Sequence, residues 1–503
     1  MKMKRILYYT LLYVLACMAV ACSDDDTFSL STANKLTFST DTLSMDTVFS
    51  TVPSSTYSFW VYNKTGSGIR CSTVQLEQGN QTGFRANVDG EFLSPAQGYK
   101  VSDVEIRKGD SLRVFVEVTT AANRKNVPQL VEDNLVFKLE SGVEQKVNLN
   151  TMSWDADFVR NLTIGSGKDT TINSANKPLV VYGALKVDSG ATLRIAQGST
   201  LYFHDGAKID VYGRLLTEGT SAHNVVLRGD RLDYMFDYLP YDRMSGQWGG
   251  VVLHSSSYGN VMNYTDLHSS FDGVVCDSAD ASIPKLQLNN SIIHNCQGYG
   301  LKAINGLIRV SNSQISNAEK DCIAVFGGDV QLFETTVAQF YPFAACGAAL
   351  RFTNTYEDNA VPLTRMDCVN SIVTGDAADV IQGESSKDDV NTPFVYMLRN
   401  SLLRTEKPEK DTANIVNVIW EGDHKADSTG SNNFVLVDRD KQQYDFHLSD
   451  KSLAIDSADP QYSSSTDRDG IARGEKPDLG CYEFVAKEPD EEGTKQADIS
   501  SRH

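Results

Sequence analysis

Residues 35–155 contain short runs in which apolar and polar side chains alternate. The runs TYSFWVYN, GIRCSTVQLEQ, SLRVFVEVTT and NLVFKLES are rich in β-branched and aromatic residues, and Gly, Asn, Asp and Pro separate them. A period of two is typical of strands that bury one face. The pattern predicts an antiparallel, immunoglobulin-like β-sandwich over residues 35–155. This part of the sequence shows no cluster of His, Cys or acidic residues, so we expect a spacer or interaction module.

A different pattern, a repeat, begins near residue 175. The segment LNNSIIHNCQGYGLKAINGL aligns with VSNSQISNAEKDCIAVFGGD, which begins 22 positions later. The alignment places Ile293 over Ile315 and Asn290 over Asn312, and VNSIV and RNSLL follow as later copies. A period of this length with short β runs is typical of one coil of a parallel β-helix, in which like residues stack on like. We expect apolar columns inside and Asn columns at the turns.

The repeat is followed by a closing segment that contains SLAIDSA and DRDGIARGEKPDLGCYEF. With this segment, residues 175–484 resemble the right-handed parallel β-helix, or pectin-lyase-like, superfamily. The expected fold class is all-β, with the antiparallel β-sandwich followed by a right-handed parallel β-helix over residues 156–484. One fold hosts many functions, so the resemblance says little about activity.

The first residues have the pattern of a secretory signal peptide. Lys2, Lys4 and Arg5 precede an apolar run over residues 6–21. This run is shorter than the roughly 20 residues that span a bilayer as a helix. A basic start, a short apolar run and small residues before a break predict a signal peptide over residues 1–21.

The break AVACSDDD resembles the lipobox of bacterial lipoproteins, in which a cysteine carries the acyl (palmitate) lipid. Cys22 is the predicted lipid-attachment residue, with Ala19 standing where that family usually has Leu and Cys17 as a competing acceptor. The alternative is an ordinary cleaved signal peptide with a chance cysteine. The next four residues, Ser23, Asp24, Asp25 and Asp26, resemble an export signal. In Bacteroidota, that signal takes lipoproteins to the outer face of the outer membrane. The resemblance implies a lipid-anchored protein of the cell outer membrane that faces outward.

Charge and cysteine content narrow the classes of partner. The formal net charge is −19, and removal of residues 1–21 takes away three positive charges and leaves −22. Such a chain has no basic field to attract nucleic acid, and it repels polyanionic polysaccharides unless metal ions intervene. The nine cysteines show no CxxC spacing, and an odd number cannot pair completely, which argues against zinc binding and a disulfide framework. We expect an acidic tether over residues 22–34 and a charged, disordered tail over residues 485–503.

Enzymes of the superfamily need residues that are hard to find in this sequence. The Asn-Thr-Asp, Asp-Asp, Gly-His-Gly and Arg-x-Lys motifs of polygalacturonase-like members do not occur as a set, and the Asp388–Asp389 pair lies in a Ser-, Asp- and Asn-rich insertion. Lys302 and Arg309 lie on the repeat, but the alignment gives no acidic column facing them, as a polysaccharide lyase would need. The sequence therefore assigns no catalytic, cofactor-binding or metal-binding residue.

His268 and His294 are the better candidates for chemistry. Alignment of YTDLHSS with NSIIHNC places them at one position of successive coils, so we expect the two rings to stack. A stacked pair could bind a metal ion or move protons. The structural interpretation is a ladder of stacked side chains, since the next coil has Ser316 at this position.

The stretch DRLDYMFDYLPYDRMSGQWGG, residues 230–250, interrupts the repeat between two coils. It is too long for a tight turn and must protrude or fold back over the coils. As a structural plug, it would pack four residues on the outer wall of the helix, Met235, Phe236, Leu239 and Trp248. As a recognition surface, it would present three tyrosines to a sugar or a partner, Tyr234, Tyr238 and Tyr241.

The function favoured by these patterns is non-catalytic binding or scaffolding by a surface-exposed outer-membrane lipoprotein, towards a glycan or a partner protein. The first alternative is a polysaccharide-active enzyme, a lyase or a glycoside hydrolase, on the β-helix. The second is an accessory subunit of an outer-membrane protein complex. A groove with clustered acids beside Lys or His would favour the enzyme.

Overall fold

The structure, a computed structural model, describes residues 27–343, 346–408, 413–423 and 430–486. The predicted signal peptide, Cys22 and the acidic residues after it lie outside these ranges, as does most of the predicted tail. The chain divides into two compact units between Asp155 and Ala156. Among the described residues, no helix is both long enough and apolar enough to cross a membrane.

The first unit consists of two β-sheets. In spatial order, the strands of one sheet are Thr37–Phe38, Tyr57–Tyr62, Ser111–Val118, Phe84–Val88 and Glu91–Phe92. Those of the other are Thr42–Ser44, Glu144–Trp154, Gln129–Leu139, Ile69–Leu76 and Lys100–Ile106, with Val48–Phe49 also paired to Glu144–Trp154. Thr42–Ser44 and Val48–Phe49 run parallel to their neighbour, and the long strands pair antiparallel.

Alternation along the strands builds the core of this unit. In Ser111–Val118 every second residue is buried and the residues between them are more exposed. The buried side chains of both sheets form one apolar cluster, which includes Phe59, Val74, Val114, Leu135 and Phe137. The predicted antiparallel β-sandwich is therefore confirmed. Phe28, inside the predicted tether, forms a parallel bridge with Gly68 of this unit.

The second unit is a parallel β-helix, with 26 strands among its described residues. The chain passes through three faces in each coil, and each strand pairs with its equivalent in the next coil. Four strands contribute to two faces each: Asp157–Ile164, Leu179–Val187, Leu301–Ser311 and Ile323–Phe333. They can do so because they bend at residues with positive φ such as Gly183 and Asn305. The parallel β-helix that the repeat predicts is confirmed.

We name the faces A, B and C. Face A contains the first halves of Asp157–Ile164 and Leu179–Val187, then Thr200–Phe203, Val225–Gly229, Thr265–His268, Ile292–Cys296, Gln314–Ala318, Thr336–Gln339, Ile372–Gly375, Leu402–Leu403 and Ile419–Trp420. Face B contains the second halves of the same two strands, then Lys208–Val211, Val251–Leu253, Val274–Cys276, the first halves of Leu301–Ser311 and Ile323–Phe333, then Leu350–Thr353 and Ile381–Glu384. Face C contains Asp169–Ile172, Thr192–Ala196, Arg214–Glu218, Asn260–Asn263, Pro284–Asn289, the second halves of Leu301–Ser311 and Ile323–Phe333, then Leu363–Val369, Met397–Arg399 and Ile415–Val416.

The 22-residue register of the sequence alignment is the register of the coils. Ile293 pairs with Ile315, and Ile315 pairs with Val337. All three side chains are fully buried in the interior of the helix. Burial of such an aliphatic side chain stabilises the fold by roughly 1.5–3 kcal/mol.

The Asn column occupies a turn with left-handed backbone. Asn290, Asn312, Asn370 and Asn400 have φ between 46° and 51°, a region that Asn tolerates better than most residues. The Nδ2 atom of Asn312 donates to Oδ1 of Asn290 at 2.7 Å, so consecutive turns are also joined through their side chains. The predicted Asn column is confirmed.

A hydroxyl column follows the Asn column and explains the recurring Asn-Ser pair. The backbone N–H of Ser291 donates to Oγ of Ser313 at 3.0 Å, and that of Thr335 donates to Oγ of Ser371 at the same distance. Each hydroxyl thus satisfies a buried amide of the neighbouring coil, which would otherwise cost roughly 1–3 kcal/mol.

Residues 430–484, which we call the cover segment, return across the outer side of face A. They contain the antiparallel pair Phe434–Asp438 and Gln443–Leu448 and the short 3₁₀ turns Ser431–Asn433 and Pro460–Tyr462. Phe434, Phe446 and Tyr482 pack on Ile372 and Leu402, which point outward from face A. The outer surface of face A is thus covered along part of its length, and a pocket remains beside the cover.

Candidate active site

The excursion loop, residues 230–250, folds into an antiparallel pair, Tyr234–Phe236 with Leu239–Pro240, followed by a 3₁₀ turn at Tyr241–Arg243. The side chain of Gln247 donates to the carbonyl oxygens of Tyr241 and Met244 and so closes the loop on itself. The loop is therefore an ordered element with its own internal contacts.

The structure buries Leu239 and contradicts the expected outer-wall position of Trp248. Trp248 is 1% exposed and lies in the interior core, not on the outer wall, with its ring 4.2 Å from that of Phe203. The chain can bring this indole inward because Gly250 follows, with a φ of 83° and a backbone so close to Asp272 that a Cβ would lie 1.7 Å from its oxygen. Met235 and Phe236 are exposed, at 43% and 51%.

The three tyrosines of the recognition interpretation have different environments. Tyr234 and Tyr238 are about half exposed, at 50% and 53%. The ring of Tyr238 stacks at 5.8 Å on that of Phe236, which is equally exposed. Tyr241 is partly buried, with the guanidinium of Arg231 3.8 Å from its ring centre. The exposed aromatic surface thus consists of Tyr234, Phe236 and Tyr238, and Tyr241 belongs to the body of the loop.

His268 and His294 lie in register on face A, and their ring centres are 4.8 Å apart. Asp266 lies between them. Its Oδ1 atom is 2.9 Å from Nδ1 of His268 and 3.2 Å from Nε2 of His294. Because strand residues two apart point to the same side, Asp266 and His268 both face outward from face A. The coil repeat thus assembles one carboxylate and two imidazoles.

Asp242 of the excursion loop completes this group. Its Oδ1 atom lies 2.8 Å from Nε2 of His268 and 2.8 Å from Nη2 of Arg228. The Oγ–H of Ser269 donates to the carbonyl oxygen of Asp242 at 2.6 Å and fixes the loop at this point. A hydrogen-bonded chain therefore runs Asp242–His268–Asp266–His294. Sequence reasoning missed Asp242, which carries no repeat signal.

The carboxylates of Asp242 and Asp266 determine the charge of this hydrogen-bonded group. Burial favours the neutral form of His268, but the charges and hydrogen bonds of Asp266 and Asp242 outweigh it and raise the pKa of His268 to about 9. Burial likewise favours neutral Asp266, yet its interactions with His268 and His294 hold its pKa well below the usual range. At neutral pH this hydrogen-bonded group therefore contains two ionised carboxylates on either side of a buried imidazolium.

The hydrogen-bonded group Asp242–His268–Asp266–His294 forms one wall of a pocket of about 420 Å³ on the outer side of face A. The floor continues onto the next coil with Gln314, Ser316 and Asn317. The opposite wall is the cover segment, through residues 442–447 and Tyr482. The Nδ2 atom of Asn317 is buried and has no hydrogen-bond partner among the described residues. A pocket of this size is typical of small-molecule or saccharide sites.

His447 is the third histidine of the pocket, and it too was missed in the sequence. Its Nδ1 atom lies 2.6 Å from Asp445 and its Nε2 atom 2.8 Å from Asp469. Hydrogen bonds to these two carboxylates raise the pKa of His447 to about 9. Its ring packs 4.1 Å from that of Tyr482, whose hydroxyl donates to Oε1 of Gln314 at 3.0 Å.

A histidine between two aspartates is not in itself a site on this molecule. His254 of face B lies 2.9 Å from Asp210 and 3.1 Å from Asp277, and its ring stacks on Tyr212 at 4.0 Å. His254 does not line the pocket. The position of Asp266, His268 and His294 in the pocket wall, rather than the residue types alone, distinguishes them.

The other sequence candidates have structural roles. Arg309 pairs with one acid, Asp329 of the next coil, at 2.9 Å. Lys302 lies 5.1 Å from the ring centre of Tyr356 and near two further aromatic rings. Asp389 accepts hydrogen bonds from Thr392 and from the backbone of Asn391 within its own turn.

Comparison with known proteins identifies the fold of the second unit. A family model described as a right-handed β-helix region matches residues 163–338. The chain carries a right-handed parallel β-helix. No curated protein matches the sequence.

Two solved structures are similar to parts of the chain. The family 28 exopolygalacturonase of Yersinia enterocolitica is 10% identical with a TM-score of 0.27, and the match covers 72% of this chain and 89% of that one. A family 123 glycoside hydrolase from Clostridium perfringens, described with glycolipid glycan hydrolysis, is 7% identical with a TM-score of 0.18. That match covers 28% of this chain and 30% of the hydrolase. Likeness at these TM-scores carries no conclusion about activity.

Proposed function

We propose that this protein is a glycan-cleaving enzyme whose active site is the pocket on face A. The observation that carries the proposal is the hydrogen-bonded chain Asp242–His268–Asp266–His294 in the pocket wall. Clustered carboxylates and imidazoles in a concave site are what proton transfer to and from a substrate requires. The residues that form the chain come from two neighbouring coils and from the excursion loop.

The lining of the pocket suits a saccharide. Carboxylates and side-chain amides of the lining can accept from and donate to sugar hydroxyls. Of the aromatic residues on the cover side, Tyr444 is half-buried and can pack against the C–H face of a sugar ring, whereas Phe446 and Tyr482 are buried.

The charge of the molecule favours a neutral glycan. The full chain carries a net charge of −19, so its field repels a polyanionic chain such as a polyuronate. The pocket adds no net attraction, because Asp242, Asp266 and Asp445 balance the cationic His268 and His447 and the nearby Arg243. We therefore place neutral polysaccharides or oligosaccharides before uronates as the substrate class.

Hydrolysis adds water across the glycosidic C–O bond, and the two walls provide groups for both proton transfers. His294, 26% exposed and held by Asp266, is placed to take a proton from water as its oxygen bonds to the anomeric carbon. His447, protonated at neutral pH because its pKa is raised to about 9, would give a proton to the departing sugar oxygen once one of its N–H groups is released from Asp445 or Asp469.

Release of reducing ends from a panel of neutral polysaccharides, with polygalacturonate and alginate as polyanionic comparisons, tests this function. His294→Gln should lower the rate at least about 100-fold, in line with general acid–base catalysis. The matched control is His254→Gln, which changes the same kind of Asp–His–Asp group outside the pocket. Equal loss in both variants, or no cleavage by the parent of any glycan, overturns the proposal.

Binding without catalysis is the second candidate function, and the exposed rings of Tyr234, Phe236 and Tyr238 favour it. Such rings suit a sugar chain or a partner protein, including a subunit of an outer-membrane complex. Binding of a glycan by affinity electrophoresis, with no release of reducing ends, would support this candidate over the enzyme.

We propose that this activity lies at the outer surface of the outer membrane, and the sequence resemblance around AVACSDDD supports this location. We propose that Cys22 carries the lipid and that Ser23 and the three following aspartates direct export. A lipid-anchored enzyme would act on glycans outside the cell.

A further inference from the structure

Asp266, His268 and His294 lie at the centre of the pocket wall and together offer three possible metal ligands. The proposed proton transfers do not by themselves explain why these three groups converge. One carboxylate and two imidazoles converge, and one ligand atom from each of Asp266, His268 and His294 lies within 4.8 Å of the other two. Two imidazoles and a carboxylate are the donors that zinc and related divalent ions use at catalytic centres.

We propose that Asp266, His268 and His294 bind a divalent transition-metal ion of the zinc type, with open coordination positions facing the pocket. This deepens the proposed function and rests on it for the role of the ion, while binding of the ion can be tested by itself.

The distances between the donors fit such an ion. Bonds of about 2.0–2.1 Å in tetrahedral geometry place neighbouring ligand atoms about 3.4 Å apart. Oδ1 of Asp266 is 2.9 Å from Nδ1 of His268 and 3.2 Å from Nε2 of His294, so two of the three sides already have nearly this length. The third distance, between ring nitrogens of His268 and His294, is at most 4.8 Å, and a small rotation of the His294 ring would shorten it.

The surroundings of His268 support the same role. A metal-binding histidine characteristically donates its second ring N–H to a carboxylate, which fixes the ring and increases its basicity. If Nδ1 of His268 faces the ion, Nε2–H donates to Asp242 at 2.8 Å, and Arg228 in turn holds Asp242 at 2.8 Å. The excursion loop would thus orient a metal ligand.

Charge and exposure favour a catalytic rather than a structural ion. Asp266 and Asp242 make this position favourable for positive charge, which a dication can supply in place of the imidazolium proton. Only three protein donors converge, and Asp266 and His294 are exposed to the pocket by 28% and 26%. The remaining positions would hold water or a sugar oxygen, and the ion would then activate water in place of the His294 base.

Calorimetric titration of the purified, untagged full chain with Zn²⁺ after chelation tests the site, with Ca²⁺ as the hard-cation comparison. We expect one Zn²⁺ per chain and no comparable binding of Ca²⁺, which prefers six to eight oxygen ligands. His294→Gln should weaken Zn²⁺ binding at least about 100-fold, and Asp242→Asn about 10- to 100-fold through loss of the outer hydrogen bond.

His254→Gln and His447→Gln are the controls, since each removes a histidine between two aspartates away from the three ligands. Both should leave the stoichiometry and affinity for Zn²⁺ unchanged. Absence of stoichiometric Zn²⁺ binding, or equal binding by His294→Gln, overturns the metal site.

Cleavage assays separate this inference from the proposed function. Activity that chelation abolishes and Zn²⁺ restores supports both. Full activity in chelated enzyme overturns the metal site and leaves the His294 base standing. Stoichiometric Zn²⁺ binding with no cleavage of any glycan overturns the proposed function and leaves the metal site standing.

Discussion

The Oδ1 atom of Asp242 lies 2.8 Å from Nε2 of His268, so a residue of the excursion loop is bonded to a residue of the coil 26 positions later. This contact defines the role of the excursion loop. The loop is neither a simple plug nor a free recognition surface, because its 3₁₀ turn delivers a carboxylate to the pocket wall. Its aromatic tip remains available for a ligand.

Asp242→Asn should lower both stability and the pKa of His268. The change keeps the size of the side chain and removes the negative charge that faces His268 and Arg228. Because this carboxylate is 42% exposed, we expect a loss of about 1 kcal/mol, not the larger cost of a fully buried pair. Thermal melting and NMR titration of His268 measure the two effects. Asp230→Asn, which removes the partner of His204, is the control and should not move the pKa of His268.

Trp248→Ala and the double change Tyr238→Ala with Tyr241→Ala should affect different properties. Loss of the buried indole leaves a cavity and should cost about 3–5 kcal/mol. Removal of the two tyrosines should mainly weaken binding to surface glycan extracts, with most of the effect from Tyr238, whose side chain is the more exposed. Melting temperature and binding are measured for both variants. Normal binding with early melting of the tyrosine variant would show that the loop is structural alone.

Asn290→Ala should destabilise the β-helix more than Asn290→Gly. Both changes remove the oxygen that accepts from Asn312. Asn290 has a φ of 51°, and for alanine left-handed backbone costs roughly 1–2 kcal/mol, whereas glycine adopts it freely. We expect the glycine variant to melt at the higher temperature. The reverse order would mean that turn conformation does not limit the stability of this column.

The contacts that His447 makes inside the cover segment, with Asp445 and Asp469, should weaken as pH rises from about 6.5 to 9. The pKa of His447 is raised to about 9 by Asp445 and Asp469, above its unfolded value of about 6.5. A raised folded-state pKa gives stabilisation that is complete below about pH 6.5 and is lost as pH rises through 9. Hydrogen exchange of residues 443–448 across this range measures the change. The slope should be smaller in His447→Gln, and an unchanged slope would assign the effect to another group.

Cys22→Ala should release the protein from membranes, and replacement of Asp24, Asp25 and Asp26 by Ala should hide it from external protease. Fractionation and protease accessibility of intact cells measure the two outcomes. Surface labelling retained in both variants would contradict the lipid anchor and the export signal together.

The interior of the β-helix could be predicted because it is periodic. A single offset of 22 placed Ile293 on Ile315, and the same reasoning brought His268 and His294 together. Asp266 stands two residues before His268 in the quoted alignment, so it could have been added from strand alternation. The coil repeat therefore encodes half of the candidate site.

The other half has no periodicity. Asp242 lies in the excursion loop, and Tyr482 contacts Gln314 across 168 residues of sequence. Such contacts depend on how the cover segment and the loop fold back, and no local pattern specifies that path. Trp248 shows the same limit: its size suggested packing, but no local pattern shows that its ring lies in the interior core.

The return of the cover segment across face A has a consequence for how the molecule matures. Coils of a β-helix can stack one after another as the chain emerges, because each pairs with its neighbour in sequence. The pocket closes only when residues 442–482 have docked on coils made much earlier. Long-range contacts of this kind form late and slowly. A newly made chain would therefore pass through a stage in which the coils are stacked and the pocket is not yet formed.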